Sequence, residues 1–433
     1  MTATTSKPVT EQPSETVRLT RLANGVRVIS DAMPGLGTVS VGIWVATGAR
    51  YEPEFLNGAA HMLEHMVFKG TATRSAIQIA SDIEAVGGQM NAYTTRDTTA
   101  FYVRLLSGDL PLAVDVLSDL LLAPTLDPTE LDRERQVIIQ EIGMTEDTPD
   151  DLIHDLFQGQ AYPGQALGRP ILGSRETVRS ISRDALRDYL SRNYAAGRLV
   201  IAAAGDVDHE AFVDMVGERF GDLPDREGFD MALADYRGGD LRREDDLEQL
   251  HFMLGFDSVG PKDPQFQASN VLSNLLGGGM SSRLFQEVRE KRGLVYSVYS
   301  FVNPSIDSSL FSIYAGTGPD QIEELVGVVC DELLKLSHDL TEEEIQRAKA
   351  QAQAGQMLAL ENSMARAEYW ANNMLTFDEP ILPDAIMAEV DAVSRDELLA
   401  LSRRILSSRP TVTALGKLKG LEEYDRIQAR LAA

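Results

Sequence analysis

Two histidines one helical turn apart with a glutamate between them, His61-Met62-Leu63-Glu64-His65, are the residues of this chain best suited to chemistry. On a helix His65 lies about 40° round the axis from His61, and Glu64 about 60° to the other side. All three side chains then share one face. Two imidazoles at that spacing suit a tetrahedral zinc ion, and the neighbouring carboxylate can reach a water molecule on the metal. The plainer alternative is a surface helix that carries two of the chain's six histidines by chance.

A third group is offered further on. Asp127-Pro128-Thr129-Glu130 reads as a helix start, with Asp127 as N-cap, Pro128 in the first helical position and Glu130 as its box partner. The helix it opens carries Glu134 and Glu141, seven residues apart and therefore on one face. Val137-Ile138-Ile139 and Ile142 give Glu141 apolar surroundings. A carboxylate buried there is costly alone and tolerable beside a cation; a salt-bridged surface glutamate is the alternative for either residue.

The elements that must position these groups occur twice. The Leu126–Glu130 start is repeated at Leu340–Glu344, with Thr341 as cap and Glu344 as box partner, and each follows an amphipathic helix, Leu110–Leu122 and Gln321–Leu336. Upstream, Asn91–Thr95 and Ala100–Leu105 read as two strands joined by a turn, echoed by Val295–Ser300 and Leu310–Tyr314. Downstream, a helix capped at Ser182 precedes the strand Leu199–Ala203, as one capped at Ser394 precedes Thr411–Leu415. The expected fold is α+β: two duplicated domains, each a mostly antiparallel sheet with helices packed on one face. The expected divisions are a flexible tail over residues 1–15, a catalytic domain over 16–222, a linker over 223–246 and a second domain over 247–433.

Composition limits the rest. The 433 residues exceed what one core usually serves, and the formal charge of −26 disfavours nucleic acid and anionic membrane as partners. A single cysteine, Cys330 in an apolar run, rules out an intrachain disulfide and fits a buried thiol in a reducing compartment. No apolar stretch approaches the ~20 residues that span a bilayer, and the expected location is cytoplasmic.

On these residues the sequence resembles the family of pitrilysin, insulin-degrading enzyme and the mitochondrial processing peptidase, over nearly its whole length. His-x-x-Glu-His is the inverzincin order. The likeness extends through Leu22–Val26, Gly48–Glu52, Met66–Thr71 and Gly88–Thr94. The family's third ligand follows the second histidine by 76 positions, which is Glu141, and an essential glutamate precedes that ligand by seven, which is Glu134. The resemblance implies one zinc ion per chain on His61, His65 and Glu141. Glu64 would be general base on a zinc-activated water, and Glu134 would orient a ligand histidine. Asn91 and Ala92 would lie on an exposed edge strand to which a peptide adds.

The second copy lacks the metal residues. Asn270–Asn274 stands in the place of His61–His65, Ala348 opposite Glu134 and Gly355 opposite Glu141. It carries instead Gly277-Gly278-Gly279, which lacks the Gly-Lys-Ser/Thr ending of a phosphate loop. It also carries Arg289 and Tyr296, seven apart, which by the resemblance would bind the substrate carbonyl and steady the tetrahedral intermediate. The resemblance further implies a homodimer in which the zinc domain of one chain meets Arg289 and Tyr296 of the other, acting on peptides or unfolded segments. A non-catalytic scaffold of the same fold is the rival expectation.

Overall fold

The computed structural model describes residues 9–226 and 230–432, which divide into two compact units. The first comprises residues up to Gly143 together with Pro170–Ala232 and Leu358–Leu382; the second comprises Met144–Arg169, Leu233–Met357 and Pro383 onward.

In the first unit the strands are β1 (Val9–Glu11), β2 (Val17–Arg21), β3 (Arg27–Ala32), β4 (Thr38–Val45), β5 (Gln89–Thr94), β6 (Thr99–Leu106) and β7 (Leu199–Gly205). They form one sheet in the order β1-β2-β3-β7-β4-β6-β5. Among the described residues only the β3–β7 pairing of this sheet is parallel. The helices Ala59–Val67, Ala76–Glu84, Leu110–Leu122, Pro128–Glu146, Arg183–Asn193 and His209–Phe220 supply the core on one face, where Met62, Leu117 and Phe212 meet Val41, Ile43 and Phe101.

The second unit repeats the plan with β8 (Gly239–Glu244), β9 (Leu250–Ser258), β10 (Val295–Pro304), β11 (Ser309–Thr317) and β12 (Thr411–Gly416), in the order β10-β11-β9-β12-β8. Here only β8–β12 is parallel. Leu272, Val326, Ile345 and Leu401 of its helices cover one face.

Each sheet also has a helix on its second face, which extends the expected layout. Ala367, Trp370, Ala371 and Met374 of the Ser363–Phe377 helix pack on Trp44, Val200, Ala202 and Ala204 of the first sheet. Leu152, Ile153, Phe157 and Ala161 of the Pro149–Ala161 helix pack on Met253, Leu310 and Leu415 of the second. Both sheet centres are apolar on both sides, as β7, buried along its whole length, demonstrates, and an apolar second face left in water would be unfavourable. The units therefore differ from the two continuous stretches 16–222 and 247–433. The bounding segments differ too. Of the expected tail, residues 1–8 lie outside the described residues, and Val9–Glu11 pairs with β2. Of the expected linker, 227–229 lie outside them, and 239–244 is β8.

Capping follows the sequence closely. Asp127 Oδ1 accepts the N–H groups of Thr129 and Glu130 at 2.8 and 3.2 Å. The Glu130 carboxylate turns instead to Arg133, an exposed neighbour one helical turn on. At Thr341 the reciprocal box closes, with Glu344 Oε2 accepting from the Thr341 N–H at 3.1 Å and Thr341 Oγ1 from the Glu344 N–H at 3.3 Å. Arg283 adds Nε and Nη2 bonds of 2.8 and 2.9 Å to the same carboxylate. Burial pushes Glu344 up, but Arg283 and Thr341 outweigh it and hold the carboxyl at about 2. The stabilisation is present above the ordinary carboxylate range and is lost as pH falls toward that value. Glu344→Gln is expected to cost about 1–3 kcal/mol at pH 7, with the gap narrowing in urea denaturation at pH 3.5. An equal gap at both pH values would remove the ion pair from the account.

Cys330 is buried, and burial pushes its thiol up to about 12, as an inert core cysteine requires. Among the described residues no helix is long and apolar enough to cross a membrane.

Candidate metal centre

The Ala59–Val67 helix begins at Gly58, whose φ of +98° suits glycine, and a Cβ there would stand 2.8 Å from the Leu172 carbonyl oxygen. Gly58 has no side chain to cap the helix. The buried carboxylate of Glu52 does so from outside, accepting the N–H groups of Gly58 and Ala60 at 2.8 and 2.6 Å and Asn57 Nδ2 at 2.9 Å. Met62, Leu63, Met66 and Val67 anchor the helix in the core, which leaves His61, Glu64 and His65 on the opposite, half-buried face.

The imidazoles of His61 and His65 meet edge to face, with ring centres 4.6 Å apart. Glu141, from the Pro128–Glu146 helix, places its Oε2 3.7 Å from Nε2 of each. That is too long for a hydrogen bond. It is close to the ~3.3 Å that separates neighbouring ligand atoms of a tetrahedral site with bonds near 2.05 Å. Among the described residues Glu141 Oε2 is buried with no hydrogen-bond partner. These three form the one cluster of potential metal ligands found there. The apolar packing beside Glu141 comes from buried Ile138 and Ile142, whereas Val137 is exposed. Burial, reinforced by His65, lowers His61 to about 4, so its imidazole is neutral and keeps a lone pair for a cation.

Glu134 stands behind His65. Its Oε2 lies 2.9 Å from His65 Nδ1, and its Oε1 lies 2.7 Å from Lys69 Nζ. Burial raises the Glu134 carboxyl, but the bonds from Lys69 and His65 outweigh it and hold the group below its ordinary value. A carboxylate only accepts, so Nδ1 of His65 carries a proton toward Glu134, and Nε2 is the ring nitrogen that faces Glu141. Glu64 accepts a 2.5 Å hydrogen bond from Thr94 Oγ1. Burial raises Glu64, and the Thr94 bond and the His65 imidazole only partly offset it, which leaves a stronger base than a free carboxylate.

Thr94 ends β5, which is the edge strand of its sheet. Asn91 is exposed on that strand and Ala92 half-buried, and Asn91 Oδ1 occupies the Ala92 N–H at 2.9 Å. In the second unit Arg289 and Tyr296 come together: the guanidinium lies 4.9 Å from the Phe285 ring centre and 5.6 Å from that of Tyr296. Tyr296, on edge strand β10, is 77% exposed. Asn270 and Asn274 lie on the Phe266–Gly277 helix, and Ala348 and Gly355 on Glu342–Ala359.

Three supporting residues escaped the sequence argument. Lys69 lies four positions after His65 in the turn that follows the Ala59–Val67 helix, and it reaches Glu134 from there. Glu52 and Thr94 reach the site from a 3-10 turn and a strand, and no periodicity connects them to it.

Comparison with known proteins gives the family. A family model described as insulinase (peptidase family M16) matches residues 27–175, and one described as the peptidase M16 inactive domain matches residues 180–352. An uncharacterized zinc protease of Streptomyces coelicolor is 41% identical, over 93% of this chain and 90% of its own. One of Bacillus subtilis is 37% identical, over 89% and 94%. The fold matches the crystal structure of a protease from Helicobacter pylori, with TM-score 0.86, 22% identity and coverage of 94% of this chain and 99% of that one. It also matches a chain of complex III from Candida albicans, with TM-score 0.84, 20% identity and coverage of 95% and 99%. The chain belongs to peptidase family M16.

Proposed function

We propose that this chain is a zinc metalloendopeptidase that hydrolyses peptides or unfolded segments. The observation that carries the reading is the buried, unpartnered Glu141 Oε2, equidistant from the Nε2 atoms of two histidines. Two imidazole nitrogens and one carboxylate oxygen are the donor set of a catalytic zinc site, which keeps a position open. When bound, zinc supplies Lewis-acid polarisation that makes a water molecule a competent nucleophile near neutral pH.

The chain's residues do the rest. Glu64 accepts the proton of the attacking water and returns it to the leaving amine, and Thr94 fixes the orientation of its carboxylate. Glu134 holds the tautomer of His65. Edge strand β5 presents main-chain groups to an extended peptide, which would take the place of the Asn91 side chain on the Ala92 N–H. Arg289 and Tyr296 donate to the developing oxyanion. Metal analysis of the purified chain is expected to give one zinc per chain, and a stoichiometry near zero in zinc-supplemented buffer would sink the reading. Glu134→Gln is expected to weaken zinc about 10–100-fold, read by competition with a chromophoric chelator.

The partner we propose is a second copy, with Arg289 and Tyr296 acting on the zinc site of the other chain. Mixing distinguishes this from action within one chain. Glu64→Gln and Arg289→Ala chains, each inactive alone, should recover about a quarter of wild-type activity after subunit exchange. Half the dimers would be mixed, and each would hold one complete site. No recovery, with exchange verified by native mass spectrometry, would place the pair in cis.

A further inference from the structure

The first unit holds a second cavity that the peptidase reading does not use. It has a volume of about 290 Å³ and opens between the end of the Leu110–Leu122 helix, the Arg183–Asn193 helix and residues 223–226. Leu121, Leu126, Leu190 and Leu223 line it, with Tyr194 among them. Leu121, Leu126 and Tyr194 are core residues, so these walls are fixed, while Leu190 and Leu223 are half-buried.

Two cations stand at this apolar cavity. Arg187 and Arg226 both line it and both are exposed. Among the described residues neither has a hydrogen bond or ion pair. Asp188, beside Arg187, accepts from Arg192 at 2.8 Å, and Asp225 Oδ1, beside Arg226, accepts from the Gly197 N–H at 3.2 Å. Two guanidinium groups at the rim of an apolar slot suit an anionic head group that carries an apolar tail. The wall is also conformationally forced. Leu126 has φ of +45°, one of two non-glycine residues in that region among those described, yet its side chain is buried against the cavity. A leucine avoids that backbone conformation unless its surroundings impose it.

We propose that this cavity binds a medium-chain carboxylate, with the alkyl tail among the leucines and the carboxylate paired to Arg187 and Arg226. Guanidinium groups match a carboxylate in shape and charge, and the apolar lining excludes a small inorganic anion as the preferred occupant. A cavity of about 290 Å³ that opens to solvent has room for a short alkyl chain with its head group at the rim, and octanoate is a suitable probe. The site would neighbour the metal centre's framework, because Leu126 directly precedes Asp127, the cap of the helix that carries Glu134 and Glu141.

Isothermal titration of the whole chain with octanoate, below its micellar range, tests this. The expected result is one saturable site per chain. Octanol should bind at least tenfold more weakly, and 0.5 M salt should weaken octanoate severalfold. The Arg187→Gln/Arg226→Gln double variant alters only exposed side chains and so should fold normally, as circular dichroism can verify, and should lose octanoate binding tenfold or more. Equal affinity for octanol, unchanged affinity in the double variant, or no saturable binding would each overturn the proposal. So would tighter binding of N-acetyl-leucine than of octanoate, since that would make the occupant a peptide C-terminus.

Discussion

Replacing Glu64 with glutamine is expected to lower kcat/KM for a quenched peptide by about 10²–10⁴-fold while one zinc per chain remains bound. The separation follows from geometry. Glu64 shares the helical face of His61 and His65, but the buried unpartnered oxygen between the two Nε2 atoms belongs to Glu141. Glu64 is committed to Thr94 and is held above the ordinary carboxylate range by burial. A raised carboxyl suits proton transfer near neutrality, and glutamine keeps the shape and the acceptor for Thr94 while removing the proton-accepting charge. The loss should therefore appear in kcat, with KM little changed, because the step removed occurs only on the way to the transition state. Activity within tenfold of wild type would show that another group takes the proton. Zinc lost together with activity would make Glu64 a ligand.

How much of this was legible in the sequence depended on whether one helix could carry the relation. His61, Glu64 and His65 are tied by the 3.6-residue period within nine residues of helix, and Glu134 and Glu141 by two turns of another. Their convergence is a tertiary fact. No local rule brings residue 141 to residue 65, and only the 76-position offset of a known family did so in advance. The caps at Asp127, Ser182, Thr341 and Ser394 were likewise local and all formed.

What escaped was whatever depends on distant segments meeting. The run Leu199–Gly205 has no apolar–polar alternation, a sign that both faces are covered. Nothing near it indicated that residues 363–377 would be the cover. The same holds for β8, which reads as charged linker because Arg243 and Glu244 are solvated on an edge strand and Arg242 is bonded to Asp240 and the Glu422 carbonyl. Glu52 is a third case. In sequence it is one acid among 66 acidic residues, and only the folded chain turns it back to receive the first N–H groups of the His61 helix.

The other large effect belongs to Glu141. Glu141→Gln is expected to abolish stable zinc binding, with less than about a tenth of an equivalent retained after dialysis, because a neutral carboxamide removes the only charge in the donor set. Thermal unfolding reads this without reference to catalysis. A ligand present at about 1,000 times its Kd adds about 4 kcal/mol, and for a unit of this size each kcal/mol moves Tm by about 2–4 °C. Zinc should therefore raise the Tm of the wild-type first unit by about 10 °C and leave Glu141→Gln unmoved. In the absence of metal the order should narrow or reverse. The wild-type chain then keeps a buried oxygen without a partner, at a cost of about 1–3 kcal/mol, whereas the amide can donate to an imidazole Nε2 lone pair. His61→Ala should behave as Glu141→Gln does toward zinc, yet without the metal-free gain, since it leaves Glu141 Oε2 as unsatisfied as before. A zinc-induced rise of equal size in all three chains would mean that the metal is held elsewhere and that this cluster is only a packed group of polar side chains.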